Sequence, residues 1–274
     1  MLLKAPFCFV KHKLFKFIPN RYLSVFVFVY NVIEVYFCRY LNIFKKMSGF
    51  FKSSIGRKVA MALSAFFLMF FLVMHVSINL LSVFSADTFN EASHFMGTNW
   101  LVQFMMQPVL IFGVVFHFVM GFVLEIRNKK AQGVKYAKNK GAANSTWMSR
   151  NMVLSGFVIL AFLGLHFYDF WVHEITIKYV GGDMTGLIDP DNLDSGYRYY
   201  EELKEKFISP VRVAIYVVAF ILLGLHLAHG FTSAFQSLGI SAGRKKTLQA
   251  IGKAYAIIIP AAFIFIALYH HFNH

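Results

Sequence analysis

The tetrapeptide LGLH occurs twice in this chain, at 163–166 within ILAFLGLHFYDFW (159–171) and at 223–226 within VAFILLGLHLAHG (218–230). Both copies lie inside long apolar runs, so each sets an ionisable ring where a bilayer core would surround it. Such a position is costly, and in membrane segments it marks function. The rest of the chain agrees with a membrane setting. Of its 274 residues 58% are hydrophobic and only 15% charged, and 33 are Phe. This composition excludes a single soluble core and points to an all-α integral membrane protein.

Five apolar segments, near 57–83, 103–126, 151–173, 210–237 and 252–271, are each long enough to cross a bilayer core of about 30 Å. Pro108 and Pro260 fall inside spans, which membrane helices tolerate, and Pro210 suits a helix start. The formal charge of +14 is distributed between spans. Lys45, Lys46, Lys52, Arg57 and Lys58 precede the first. Arg127, Lys129, Lys130, Lys135, Lys138, Lys140 and Arg150 separate the second from the third. Arg244, Lys245, Lys246 and Lys253 follow the fourth. The alternate connections are acidic: residues 84–102 carry Asp87 and Glu91 with no Lys or Arg, and 174–209 hold eight acids against four bases. The positive-inside rule therefore predicts a cytoplasmic N-terminus and an external C-terminus. It also accounts for the basic balance without nucleic acid as a partner.

Four successive spans each carry a histidine: His75, His117, His166 and His226. His229 is a second candidate in the fourth. With spans 1 and 3 running outward and spans 2 and 4 inward, a rise of about 1.5 Å per residue places His75 and His166 in the outer half and His117 and His226 in the inner half. Two diagonal pairs at two depths of a four-helix bundle suit two bis-histidine porphyrins, one above the other. Gly113 and Gly121, four residues either side of His117, and Gly230, four after His226, share a face with those histidines. They would let a flat macrocycle approach, or they are ordinary small residues of membrane helix packing. His229, one turn from His226, can replace it as ligand, bond a propionate or line the bundle. No C-x-x-C-H occurs, and the two cysteines, Cys8 and Cys38, are near the N-terminus. Covalent haem attachment and cysteine-held clusters are thereby excluded. No span carries two ligands about four turns apart, which argues against the quinol-oxidising cytochrome b pattern. The alternative class is a transporter or proton-conducting bundle with histidine relays, which predicts no iron. His270, His271 and His274, at the end of the fifth span, are expected to be solvated.

From about Ser53 onward the sequence resembles the di-haem cytochrome b anchor subunit of type-B succinate dehydrogenases and related fumarate reductases. The likeness lies in the five-span order, the four single-histidine spans, FNEASHFM (89–96), HFVMGFVLE (117–125) and HLAHGFTSAFQSLGIS (226–241). The resemblance implies a five-helix bundle in a bacterial cytoplasmic membrane, four of its helices enclosing two stacked b-type haems. It implies a cytoplasmic flavoprotein and an iron–sulfur subunit as partners. Electrons would pass through the inner haem (His117, His226) and the outer haem (His75, His166) to a quinone, usually menaquinone. The chain has no dicarboxylate, flavin or iron–sulfur site of its own, so it would be a non-catalytic electron-transfer subunit. The haem-bearing anchor of a hydrogenase or formate dehydrogenase is a second alternative; the ligand order of those anchors differs. Some fumarate-reducing members carry a proton-transferring glutamate two residues before the span-4 ligand; Gly224 stands there, which favours succinate oxidation. Glu91 and His94 can bond or protonate a quinone, or else cap a loop. Asp169 and His173 are further outer-end candidates, or merely interfacial.

Residues 1–46 have no counterpart in this resemblance. They hold eight Lys/Arg and one Glu, and their apolar run at 22–37 is interrupted by Asn31 and Glu34. MSGFFKSSIGRKVAMALS (47–64) reads as a normal start before a membrane helix. Met47 is therefore expected to be the initiator, with a basic interfacial helix as the rival reading of 1–46.

Overall fold

The computed structural model describes residues 53–131, 151–240 and 243–273. The extension at 1–46, Met47, Lys135, Lys138, Lys140, Arg150 and His274 lie outside the described residues.

Hydrophobic runs uninterrupted by turn residues become long helices: α1 (Ser54–Phe84), α3 (Gln107–Ala131), α4 (Met152–His166), α6 (Pro210–Ser237) and α7 (Lys245–Phe272). Two shorter, more polar helices, α2 (Ala86–Thr98) and α5 (Tyr199–Ile208), sit between them at one end. The first turn of the second span, Val102–Met106, is π-helical. So are two stretches that carry the α4 rod onward, Phe167–Val172 and Thr176–Val180. Five rods are long and apolar enough to cross a membrane: Ser54–Phe84, Val102–Lys130, Met152–Val180, Pro210–Ser237 and Lys245–Phe272. Among the described residues no strand occurs, only an isolated bridge between Leu187 and Tyr197. The chain is an all-α multi-pass membrane bundle. Many of its large apolar side chains face outward, among them Phe104, Phe112, Val115 and Leu154, as a lipid surface requires.

Helix starts follow local chemistry. Ser85 caps α2 by accepting from the Thr88 amide, and Ser209 does so for α6 with Pro210 as its first residue, a position where the missing N–H costs nothing. The core lies between α6 and α7. Tyr216, Phe220, Phe263, Ile266 and Ala267 are buried in it, and Leu227, Phe231 and Ala256 continue it towards the other end. Two glycines let these helices approach. A side chain on Gly224 would meet the Ala256 carbonyl at 2.9 Å, and one on Gly252 would meet the Phe231 ring at 2.8 Å. The Tyr255 hydroxyl donates to the Met69 carbonyl at 2.6 Å and ties α7 to α1.

Three sequence expectations need correction. The third span does not stop at 173; the helical rod continues to Val180. Its polar residues are neutralised there: Glu174 pairs with Lys178 and with Arg198, each at 2.7 Å, and Arg198 with Glu202 at 3.0 Å. Lys178 also donates to the Gly97 carbonyl, locking α2 onto this end. The fifth span begins at Lys245 rather than near 252, because Lys245, Lys246 and Lys253 remain exposed along the rod and need not be buried to continue the helix. His270 is not solvated but 1% exposed. Its Nε2–H donates to Ser82 at 2.8 Å while Ser82 donates to the Asn79 carbonyl at 2.6 Å. His271 donates from Nδ1 to the Phe207 carbonyl at 2.8 Å.

Candidate functional site

The four span histidines meet in two pairs. The rings of His75 on α1 and His166 at the end of α4 face each other with centroids 5.7 Å apart and planes at 85°. Those of His117 on α3 and His226 on α6 are 6.4 Å apart at 64°. All four are half-buried. Two imidazole nitrogens, each about 2 Å from one shared metal ion, would put ring centres about 6.3 Å apart once the ring radius is added. The observed separations lie either side of that figure. The ring facing His117 is that of His226, not of His229.

The surroundings of the pairs differ. Ser64 on α1 donates its hydroxyl to the Met61 carbonyl at 2.8 Å and lies 3.0 Å from His117 Nδ1. Ser155 on α4 repeats this with the Met152 carbonyl at 2.8 Å and His226 Nδ1 at 3.1 Å. Each serine proton is spent on its own helix, so each serine oxygen accepts from the imidazole Nδ1–H. That assigns the tautomer and leaves both Nε2 lone pairs bare. At the other pair, His166 Nδ1 is buried with no hydrogen-bond partner, and His75 Nδ1 has only the Asn79 amide nitrogen at 3.4 Å. Aromatic rings wall this pair: Phe71 stacks on His75 at 5.3 Å, while Phe170 and Tyr216 approach His166 at 5.2 and 6.3 Å. The Tyr216 hydroxyl donates to Asp169 at 2.9 Å, and Arg212 pairs with the same carboxylate at 3.4 Å. Asp169 is therefore an inward, 2% exposed group.

Along α1, Ser64 marks the level of the His117/His226 pair, and His75 follows eleven residues later. Along α4, His166 follows Ser155 by the same eleven residues. At about 1.5 Å per residue the two pairs are stacked about 16 Å apart.

The glycines expected to admit a macrocycle lie on helix seams. A side chain on Gly113 would meet the Phe67 ring at 2.8 Å, whereas Gly121 faces the Met61 methyl at 3.6 Å and Gly230 the Met152 methyl at 3.4 Å. A Cβ added at Gly156, a glycine not singled out in the sequence, would lie 3.8 Å from His226 Cε1. Among the described residues no cluster of three or more His, Cys, Asp or Glu side chains suits a metal ion; a haem, which brings its own four nitrogens, needs only two. The donor set fits that group: paired imidazoles at both levels, a fixed Nε2 at one and an orphaned Nδ1 at the other.

Glu91 and His94 are engaged separately. Glu91 lines a cleft of about 350 Å³ with Asp87, Asn90, Tyr197 and Glu201. His94 stacks on Tyr197 at 4.1 Å, with Nδ1 buried and unpartnered. Loss of solvent, and then Lys178, push its pKa below the usual histidine range, with Glu174 opposing and Arg198 adding to the fall. Burial and the neighbouring Glu174 raise the Tyr199 hydroxyl above the ordinary phenol value. His173 pairs with Glu202 at 3.4 Å, and burial raises Glu202 despite that contact and Arg198.

The chain matches no protein-family model, and comparison with characterised proteins and with solved structures gives no match.

Proposed function

We propose that this chain is a membrane-embedded electron-transfer subunit that holds two b-type haems and anchors a succinate:quinone oxidoreductase. The observation that carries the reading is the pair of facing imidazole pairs, stacked about 16 Å apart within one bundle. His117 and His226 would hold one haem and His75 and His166 the other. A haem held by two imidazoles would supply one-electron transfer. Ser64 and Ser155 orient the first pair. Phe71, Phe170 and Tyr216 exclude water from the second. Asp169 and Arg212, joined to Tyr216, put a polar group beside that level.

The basic ends of the rods support a cytoplasmic face at the His117/His226 level. There the flavoprotein and iron–sulfur partners would dock in a bacterial cytoplasmic membrane. The acidic, capped end, with Glu91 in its cleft and His94 beside it, is then the place for a quinone such as menaquinone. Gly224 leaves no room for the glutamate of the fumarate-reducing pattern, since a side chain there meets the Ala256 carbonyl; this favours the succinate-oxidising direction. A dithionite-reduced minus oxidised spectrum of the purified protein, with haem quantified per polypeptide, tests the reading. Two low-spin b-type haems per chain are expected, both reduced by succinate in the assembled complex. Iron-free intact protein would overturn the reading and leave a bundle of histidine relays.

A further inference from the structure

We propose that Ser64 and Ser155 are positioning residues that tune the His117/His226 level alone, making it electronically unlike the His75/His166 level. The inference rests on the di-haem reading above and deepens it.

The two serines are built alike. Each donates to the carbonyl three residues before it, at 2.8 Å, and this fixes the hydroxyl rotor. Each oxygen is thereby presented, as an acceptor only, to an imidazole Nδ1 on a different helix, at 3.0 and 3.1 Å. One hydroxyl acts from α1 on α3 and the other from α4 on α6, so both imidazoles of one level are gripped from opposite sides. A hydrogen bond accepted from Nδ1–H raises the basicity of the other ring nitrogen. A more basic ligand favours the oxidised metal and lowers the reduction potential. Among the described residues the second level has no such acceptors: His166 Nδ1 is unpartnered and His75 Nδ1 is met by the Asn79 amide nitrogen. The third serine of this design, Ser82, serves His270, which belongs to neither pair. The hydroxyl–imidazole contact is therefore a packing device that only one level uses on its ligands.

The test is a potentiometric titration of the haem-loaded protein, following the two haems by their absorption and low-spin resonance signals. Variants are Ser64→Ala, Ser155→Ala, the double alanine variant and the hydroxyl-keeping Ser64→Thr and Ser155→Thr. In the double alanine variant one haem is expected to rise in midpoint by about tenfold in its reduction equilibrium, about 59 mV for one electron, and the other to stay. Each single variant should give part of that rise, and the threonine variants should stay near the wild-type value. Loss of one haem in the alanine variants, with retention in the threonine variants, also supports the role. Two haems with unmoved midpoints in the double variant overturn the inference and leave the di-haem reading intact. So do alanine and threonine variants that shift or lose haem alike. A wild-type protein without haem overturns both.

Discussion

Gly224 shows how one hydrogen in place of a side chain decides what a helix seam can hold. Pro260 on α7 has no N–H, so the carbonyl of Ala256, four residues earlier, lacks its helical donor. That carbonyl points across the seam at Gly224, where an added Cβ would stand 2.9 Å away, with Pro260 Cγ at 3.4 Å. The obstacle is backbone, which cannot swing aside like the end of a side chain. Gly224→Glu should therefore push α6 from α7 and cost about 1–3 kcal/mol, the range for overpacking a tight site. Gly164→Ala, in the other LGLH copy, should cost little, because nothing lies within 4 Å of its added carbon. Thermal unfolding of the two variants in detergent checks this: a markedly lower midpoint is expected for Gly224→Glu and a near-native one for Gly164→Ala. The glycines of the two LGLH copies thus share a letter and not a physical role. In the first the glycine faces open space, and in the second it is the closest approach of two helices.

At the scale of elements, α2 and α5 close one end of the bundle, where polar contacts add to the burial of Phe89, Leu203 and Phe207. Lys178, 3% exposed, reaches from the α4 rod to the Gly97 carbonyl at the end of α2. Asn90 on α2 donates to the Tyr197 carbonyl and accepts from the Tyr200 amide, both at 2.8 Å. His94 sits in this joint, facing Lys178, Arg198, Glu174 and the rings of Tyr197 and Tyr199. Its folded-state pKa is below the unfolded value of about 6.5, so below that pH the unfolded or undocked chain binds the extra proton. Stability of the joint is then full above about pH 7 and falls as pH drops through the histidine range. Amide hydrogen exchange across residues 86–98 should accelerate between pH 7.5 and 5.5, after correction for intrinsic rates, and His94→Gln should flatten that dependence. An equal pH response in His94→Gln would show that another group governs the joint. This joint was only half legible in the sequence. The acidity of 84–102 and 174–209 was visible, and FNEASHFM stood out. Yet Glu174, Lys178 and Arg198 find one another only once the third rod runs on to Val180, and their polarity suggested that the span ended earlier.

For the whole molecule, most of the candidate site was readable because depth in a membrane helix is nearly linear in residue number. Counting from span entries predicts the pairing His75 with His166 and His117 with His226, and those are the rings that face each other. The serines behind one pair escaped, because a hydroxyl in an apolar run is common and its partner lies 53 or 71 residues away. The signal was nonetheless there: LSAF at 63–66 and LSGF at 154–157 repeat a serine followed by a small residue and Phe, each eleven residues before a span histidine. The stacked arrangement makes a prediction that no single substitution can. Removing both members of one level, as in His75→Ala with His166→Ala, should leave one haem per chain, since the other level keeps both imidazoles. Removing one member of each level, as in His75→Ala with His226→Ala, deletes the same number of histidines but should leave none. His229→Ala should keep both haems, because the ring opposite His117 is that of His226. Haem per polypeptide in the three purified variants measures this directly. Equal haem in the two double variants would show that the ligands do not work as these pairs. Loss of a haem in His229→Ala would move the α6 ligand one turn along the helix.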